Sequence, residues 1–386
     1  MFKLSKKIQS LPPYLFLEID KAKRKARAEG RDIIDLGIGD PDQPTPKYII
    51  EALYQASQDP ANHRYALDQG MPALRRAIAG WYKRRFNVGL DPETEILPLI
   101  GSKEGIAHFP LAFINNADYA LVPDPSYPPY KGGVILAGGR PYLMPLVAQN
   151  EFLPDLKKIP VGIRKKAKLM FINYPNNPTS ATAQKSFYQD VIKFCAKNKT
   201  ILVSDLAYSE MAYDGYKPSS ALEIPGAKDT VIEFHSLSKT YNMTGWRIGW
   251  ACGNAQLISA LAKVKSNIDS GIFSALQLAG IAALEGPQGH VSSMCNLYQG
   301  RRNALIKGLN SLGWEVRPPQ ATFYVWIRIP EKYDSIKFAA VLLEKADIVA
   351  TPGLGFGKYG QGYIRMALTV PEERIKEAVA RLKKIF

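Results

Sequence analysis

Short runs of apolar and β-branched residues recur through residues 95–255, and amphipathic stretches of helical period separate several of them. The runs are EILPLI (95–100), YALVP (119–123), RPYLMPL (140–146), AKLMFINY (167–174), TILVSD (200–205), TVIEF (230–234) and RIGWACG (247–253), and one intervening stretch is KSFYQDVIKFCAKN (185–198). Strands spaced by helices predict an α/β fold whose mostly parallel sheet is sandwiched by helices. Near residue 285 the pattern changes. A long helix at about 290–312 precedes WEVRPPQATFYVWIRI, a further helix, and then DIVATPG and GYIRMAL. That mixture predicts a smaller α+β domain. The expected organisation is an N-terminal arm at 1–45 that joins the small domain in part, a large ligand-binding domain at 46–285 and a small C-terminal domain at 286–386.

Composition narrows the function classes. The chain has 386 residues, 46% hydrophobic and 22% charged, ordinary values for a folded protein with a large core. No apolar run approaches the roughly 20 residues of a membrane span, and charges interrupt the N-terminal 25 residues, so a cytoplasmic protein without a membrane partner is expected. The net charge of +15 is spread along the chain, with clusters KAKRKAR (21–27) and IRKKAK (163–168) that read as solvated faces. No nucleic-acid-binding motif accompanies them, and the charge suits anionic small ligands better than nucleic acid. Cys195, Cys252 and Cys295 are far apart and odd in number, and the four histidines form no HExxH pair, so neither a disulfide framework nor a metal site is expected.

In a parallel sheet, ligands bind in the loops after the strands' carboxyl ends. Those loops are GSKEG (101–105), PDPSYPPY (123–130), YPNNPTS (174–180), SDLAYSE (204–210) and SLSKT (236–240). Ser236-Leu-Ser-Lys239 has the SxxK form of acyl-serine enzymes, but the companion SDN and KTG motifs are missing. Gly355-Phe-Gly357-Lys-Tyr-Gly360 satisfies GxGxxG yet precedes a strand-like segment, where a dinucleotide site requires a helix. The remaining loop residues make a coherent set. GSKEG at a helix start can cup a phosphate. Asp205 ends a buried strand and needs a cationic or hydrogen-bonding partner. With Tyr208, Asn177, Tyr127 and Lys239, these are the groups pyridoxal 5′-phosphate (PLP) requires: an acid for its ring nitrogen, donors for its ring oxygen, an aromatic for its face, a phosphate cup, and an amine for its aldehyde.

The ordered segments LGIGDPDQPTP (36–46), RYALDQGMPALRRAI (64–78), GSKEG, NYPNNPTS, SDLAY, SLSKTYNMTGWRIGW and GYIRMAL resemble those of class I aminotransferases, the aspartate-aminotransferase-like group of fold-type I PLP enzymes, collinearly over nearly the whole chain. The resemblance implies that Lys239 binds the cofactor's aldehyde and later carries a proton, and that Asp205 pairs with the ring nitrogen. It implies further that Tyr208 and Asn177 contact the ring oxygen and that Tyr127 stacks on the ring. Ser102 and Lys103 (through backbone N–H groups), Ser236, Ser238 and Arg247 are implied to hold the phosphate, with Tyr65 reaching it from the other subunit of a homodimer that shares its active sites. Arg365 is implied to grip the substrate α-carboxylate, assisted by the backbone at Gly39, with Asn177 also at the substrate. LPPYLFLEIDKAK and KSNIDSGIFSALQ (265–277) are most similar to the group acting on LL-diaminopimelate, in which Tyr14 and Lys103 match substrate-contacting positions. Ser270 departs from that group's longer form, which has an asparagine there. The implied function is amino transfer between an amino acid and a 2-oxo acid, with LL-2,6-diaminopimelate and 2-oxoglutarate as the leading pair in lysine biosynthesis. Donors such as aspartate, alanine or aromatic amino acids, and a PLP C–S β-lyase, stay open at this point.

Overall fold

The computed structural model describes residues 2–12, 15–66 and 68–386, with backbone alone for 15–17. After the short β1 (Ile34–Asp35), the seven apolar runs form β2 (Ile96–Leu99), β3 (Tyr119–Asp124), β4 (Arg140–Pro145), β5 (Ala167–Asn173), β6 (Ile201–Asp205), β7 (Val231–Ser236) and β8 (Gly249–Gly253). They make one sheet in the order β2-β8-β7-β6-β5-β3-β4, in which β8 alone runs antiparallel to the rest. Helices cover both faces, which is why β2 and β7 are buried at every position and read as continuous apolar runs. Helix Lys185–Asn198 shows the covering geometry: Tyr188, Val191, Ile192 and Cys195 form its buried stripe at helical spacing. Burying each such side chain contributes about 1.5–3 kcal/mol relative to exposure.

The chain's last third packs a second core around helix Gly289–Ser311. Here lie β9 (Tyr324–Arg328), β10 (Ile348–Val349), β11 (Thr351–Pro352) and β12 (Tyr363–Ala367), with β11-β12-β9 antiparallel and β10 paired in parallel with β1. Leu305, Leu309, Phe338, Ile364, Met366 and Ile375 are fully buried in this core, and Tyr208, Met211 and Tyr213 enter it from the loop after β6. The two cores therefore meet at the carboxyl edge of the large sheet. The glycine-rich segment before β12 forms two short 3-10 turns, Gly353–Phe356 and Lys358–Gly360, as its placement before a strand led us to expect. Among the described residues no helix is long and apolar enough to cross a membrane.

Candidate active site

A cavity of about 280 Å3 opens where the two cores meet. The large sheet lines one side with the ends of its strands. Because β8 is antiparallel, its first residues lie at the same edge as the last residues of β7, with Ser236 opposite Gly249, while Gly249 also faces Leu99 of β2. This register gathers Ser102, Ser236 and Arg247 at one end of the cavity. Gly101, just before helix Ser102–Phe113, has φ +75°, and a Cβ there would stand 2.3 Å from the Arg247 guanidinium. Only glycine lets the arginine approach that helix start, where free N–H groups and the helix dipole favour an anion. Ser236 caps the short helix Leu237–Thr240, its Oγ accepting from Ser238 N at 3.1 Å, and the same turn projects Lys239 into the cavity.

Lys239 is held by burial. Its Nζ donates to the Gly39 carbonyl at 2.9 Å, and desolvation, opposed by Asp40 and aided by the Arg365 and Arg247 charges, pulls its pKa down to about 8. Asp205, 5% exposed, accepts from the Tyr130 hydroxyl at 2.7 Å and from Ala207 N at 3.2 Å. Burial pushes its pKa up to about 6 in spite of these donors, the signature of a carboxylate lacking a cation. Tyr208 shares a hydroxyl–hydroxyl hydrogen bond of 3.0 Å with Tyr324. Tyr127 lines the cavity and meets Tyr130 edge-on, with ring centroids 5.8 Å apart.

The opposite side of the cavity is built from the second core. Arg365, on β12 and 3% exposed, donates to Asn177 Oδ1 at 2.8 Å and to the Gly37 carbonyl at 2.9 Å. Its guanidinium lies between the rings of Tyr324 (4.0 Å) and Phe356 (4.7 Å). Its Nε is buried with no hydrogen-bond partner. A buried cationic donor without a partner is costly unless a ligand supplies the acceptor, and a carboxylate fits the guanidinium fork.

Thus Ser102, Lys103, Tyr127, Asn177, Asp205, Tyr208, Ser236, Ser238, Lys239, Arg247, Arg365 and Gly39 all line one cavity. Tyr65 does not: it is 93% exposed on its own chain's surface. Ser270 is exposed and outside the cavity lining. Tyr14 lies outside the described residues. Sequence reasoning missed Tyr130, Tyr324, Phe356 and Asn173, whose side chain bridges Asp205 O (2.8 Å) and Asn177 N (2.8 Å). Tyr130 stood in the PDPSYPPY loop beside Tyr127 and could have been named with it. Tyr324 and Phe356 look like ordinary core aromatics in the sequence.

The residues fit PLP: a helix start cradling an arginine that a Cβ would displace, a buried carboxylate short of a cation, and a buried amine of lowered pKa. Residues 31–382 match the family described as aminotransferase class I and II. The chain is similar to an LL-diaminopimelate aminotransferase of Syntrophobacter fumaroxidans, 56% identical over 384 residues, covering 100% of this chain and 99% of the relative. It is 54% identical to one from Moorella thermoacetica over 382 residues, 99% and 98% of the two chains. Among solved structures, substrate-bound BacF from Bacillus subtilis superposes with a TM-score of 0.96 at 39% identity, covering 100% of this chain and 98% of that one.

Proposed function

The chain belongs to the class I and II aminotransferases, PLP-dependent enzymes that move an amino group between an amino acid and a 2-oxo acid, and on that premise we propose that it is an LL-2,6-diaminopimelate:2-oxoglutarate aminotransferase of lysine biosynthesis. One observation carries the choice of donor: relatives at 53–56% identity across nearly the whole chain bear that name. The proposed setting is the cytoplasm, and the proposed assembly a homodimer in which Tyr65 of each copy completes the other's phosphate cup.

When bound, PLP supplies an aldehyde that takes up the donor's amino group and a ring that withdraws electrons from the carbon bearing it. The chain's residues do the rest. Backbone N–H groups at Ser102 and Lys103, the hydroxyls of Ser236 and Ser238, and Arg247 hold the phosphate. Asp205, fixed by Tyr130 and the Ala207 N–H, keeps the ring nitrogen protonated. Tyr208 and Asn177 address the ring oxygen, and Tyr127 covers the ring face. Lys239 Nζ would hold the cofactor through its aldehyde and, when free of it, would be the group that moves a proton at the donor's α-carbon. A pKa of about 8 leaves part of the amine neutral near physiological pH, as a base requires. Arg365 takes the α-carboxylate, using the unpartnered Nε, with the backbone at Gly39 alongside. Lys103 and Tyr14 are assigned to the donor's distal end.

The test joins chemistry to residue. Borohydride reduction followed by peptide mapping should place the cofactor on Lys239. With LL-diaminopimelate and 2-oxoglutarate, glutamate should appear in step with donor loss, and Lys239→Ala should abolish it. Pyruvate and ammonia released from a donor with a thiolate leaving group on its β-carbon, such as cystathionine, with no glutamate formed from LL-diaminopimelate, would mark a C–S β-lyase, and full turnover by Lys239→Ala would remove the lysine from its role.

A further inference from the structure

Phe356, which covers one face of the Arg365 guanidinium, sits on a loop that the large sheet holds in place. Asp124, the last residue of β3 and 3% exposed, accepts two backbone N–H groups from that loop: Tyr359 N at 2.9 Å and Lys358 N at 3.3 Å. Two residues on, Ser126 N donates to the Phe356 carbonyl at 2.9 Å. The fit is tight. At Gly357, φ is +138° and a Cβ would stand 2.2 Å from Asp124 Oδ1, so the loop can close on the carboxylate only with glycine there. Phe356 also borders a second cavity of about 340 Å3, together with Asp124, Lys131, Leu354 and Lys358. The loop's attachment to β3 thus fixes the backbone that bears the ring.

From this geometry we propose that Asp124 is a positioning residue for carboxylate recognition: it fastens the loop at 353–360 to β3, and so holds Phe356 against Arg365 with the guanidinium aimed into the active site. The inference rests on the aminotransferase reading only in taking Arg365 as the carboxylate receptor. A guanidinium clamped between two rings has little rotational freedom left to lose on binding, and carboxylate affinity gains accordingly. Without the Asp124 acceptors, two N–H groups lose their partner, the loop is free to shift, and Phe356 no longer holds its place against Arg365.

The test compares cofactor-loaded wild type with Asp124→Ala on three probes. LL-diaminopimelate reports on amino-acid turnover. Glutarate, an unreactive dicarboxylate, reports on carboxylate affinity by calorimetry. 1,5-Diaminopentane offers an amine without a carboxylate. Asp124→Ala is expected to lower kcat/KM for the amino acid and the glutarate affinity by about tenfold each. Its reaction with 1,5-diaminopentane and its cofactor retention should stay within about twofold of wild type. Phe356→Leu, which keeps the backbone latch but removes the ring, should show the same selective loss. If Asp124→Ala does not fold, Asp124→Asn and Phe356→Leu carry the comparison, the former with a smaller loss because one acceptor oxygen remains. Unchanged glutarate affinity, or an equal fall with the carboxylate-free amine, overturns the proposal. A wild type that turns over no amino acid would defeat the aminotransferase reading, while the glutarate comparison would still decide the role of Asp124.

Discussion

Asp205 ends β6 with its carboxylate buried and two hydrogen-bond donors but no cation, which is why its pKa rises to about 6. The sign of the linkage follows. A carboxyl whose folded pKa lies above its unfolded value of 3.8 binds more protons in the folded state between the two. Its unfavourable contribution is therefore absent below about pH 4, grows as pH rises, and is complete above about pH 6; the gap corresponds to about 3 kcal/mol. Asp205→Asn should stabilise the cofactor-free protein by up to that amount at pH 8 and by almost nothing at pH 4, measured by urea unfolding at both values. An asparagine fits, because its oxygen can accept from Ala207 N while its NH2 donates to the Tyr130 hydroxyl. In the loaded enzyme the same change should lower turnover by about a hundredfold or more, since a neutral amide does not hold the ring nitrogen's charge. Asp205 was legible in the sequence because an acid ending an apolar strand is anomalous. Tyr324 was not, because an aromatic on a strand has the same appearance whether it fills a core or lines a site.

Among the elements, β7 contains the least expected feature. Glu233 is the fourth residue of TVIEF, fully buried, and accepts from Ser220 Oγ (2.5 Å), Ala221 N (2.9 Å), Ser204 Oγ (3.0 Å) and Tyr82 OH (3.2 Å). Burial raises its pKa to about 7 against the pull of these donors. The run is recognisable as a strand from its β-branched and aromatic residues, but no period of the sequence shows that its glutamate is enclosed and bonded from three separate segments. Glu233→Ala would leave all four donors without an acceptor. The expected loss is about 3–5 kcal/mol of stability, read from the denaturation midpoint, with Glu233→Gln losing less because the three hydroxyls can turn. The short helix Leu237–Thr240 that follows was legible as a loop bearing Lys239. The antiparallel β8 that returns Arg247 to the same edge was legible only as another strand, since direction depends on pairing and not on local pattern.

For the whole molecule, the cavity lies where the core of the large sheet and the core around helix Gly289–Ser311 meet. What one chain leaves outside its own cavity is Tyr65, 93% exposed, which the proposed homodimer would use in the neighbouring site. Mixing Tyr65→Ala with Lys239→Ala, each inactive alone, should restore about a quarter of wild-type activity, because half the dimers are hybrids with one intact site. A mixture no more active than its components would refute shared sites. The central claim, though, concerns the donor. LL-diaminopimelate has a second amino-acid head group, and a site built to hydrogen-bond such a group can reject analogues lacking it by up to about four orders of magnitude. The most direct measurement is kcat/KM for LL-diaminopimelate, meso-diaminopimelate, aspartate, alanine and tyrosine with 2-oxoglutarate as acceptor. The account predicts that LL-diaminopimelate is preferred over aspartate, alanine and tyrosine by at least about a hundredfold, and over the meso isomer, whose distal centre is inverted, as well; aspartate, alanine or tyrosine matching or exceeding it would contradict the account.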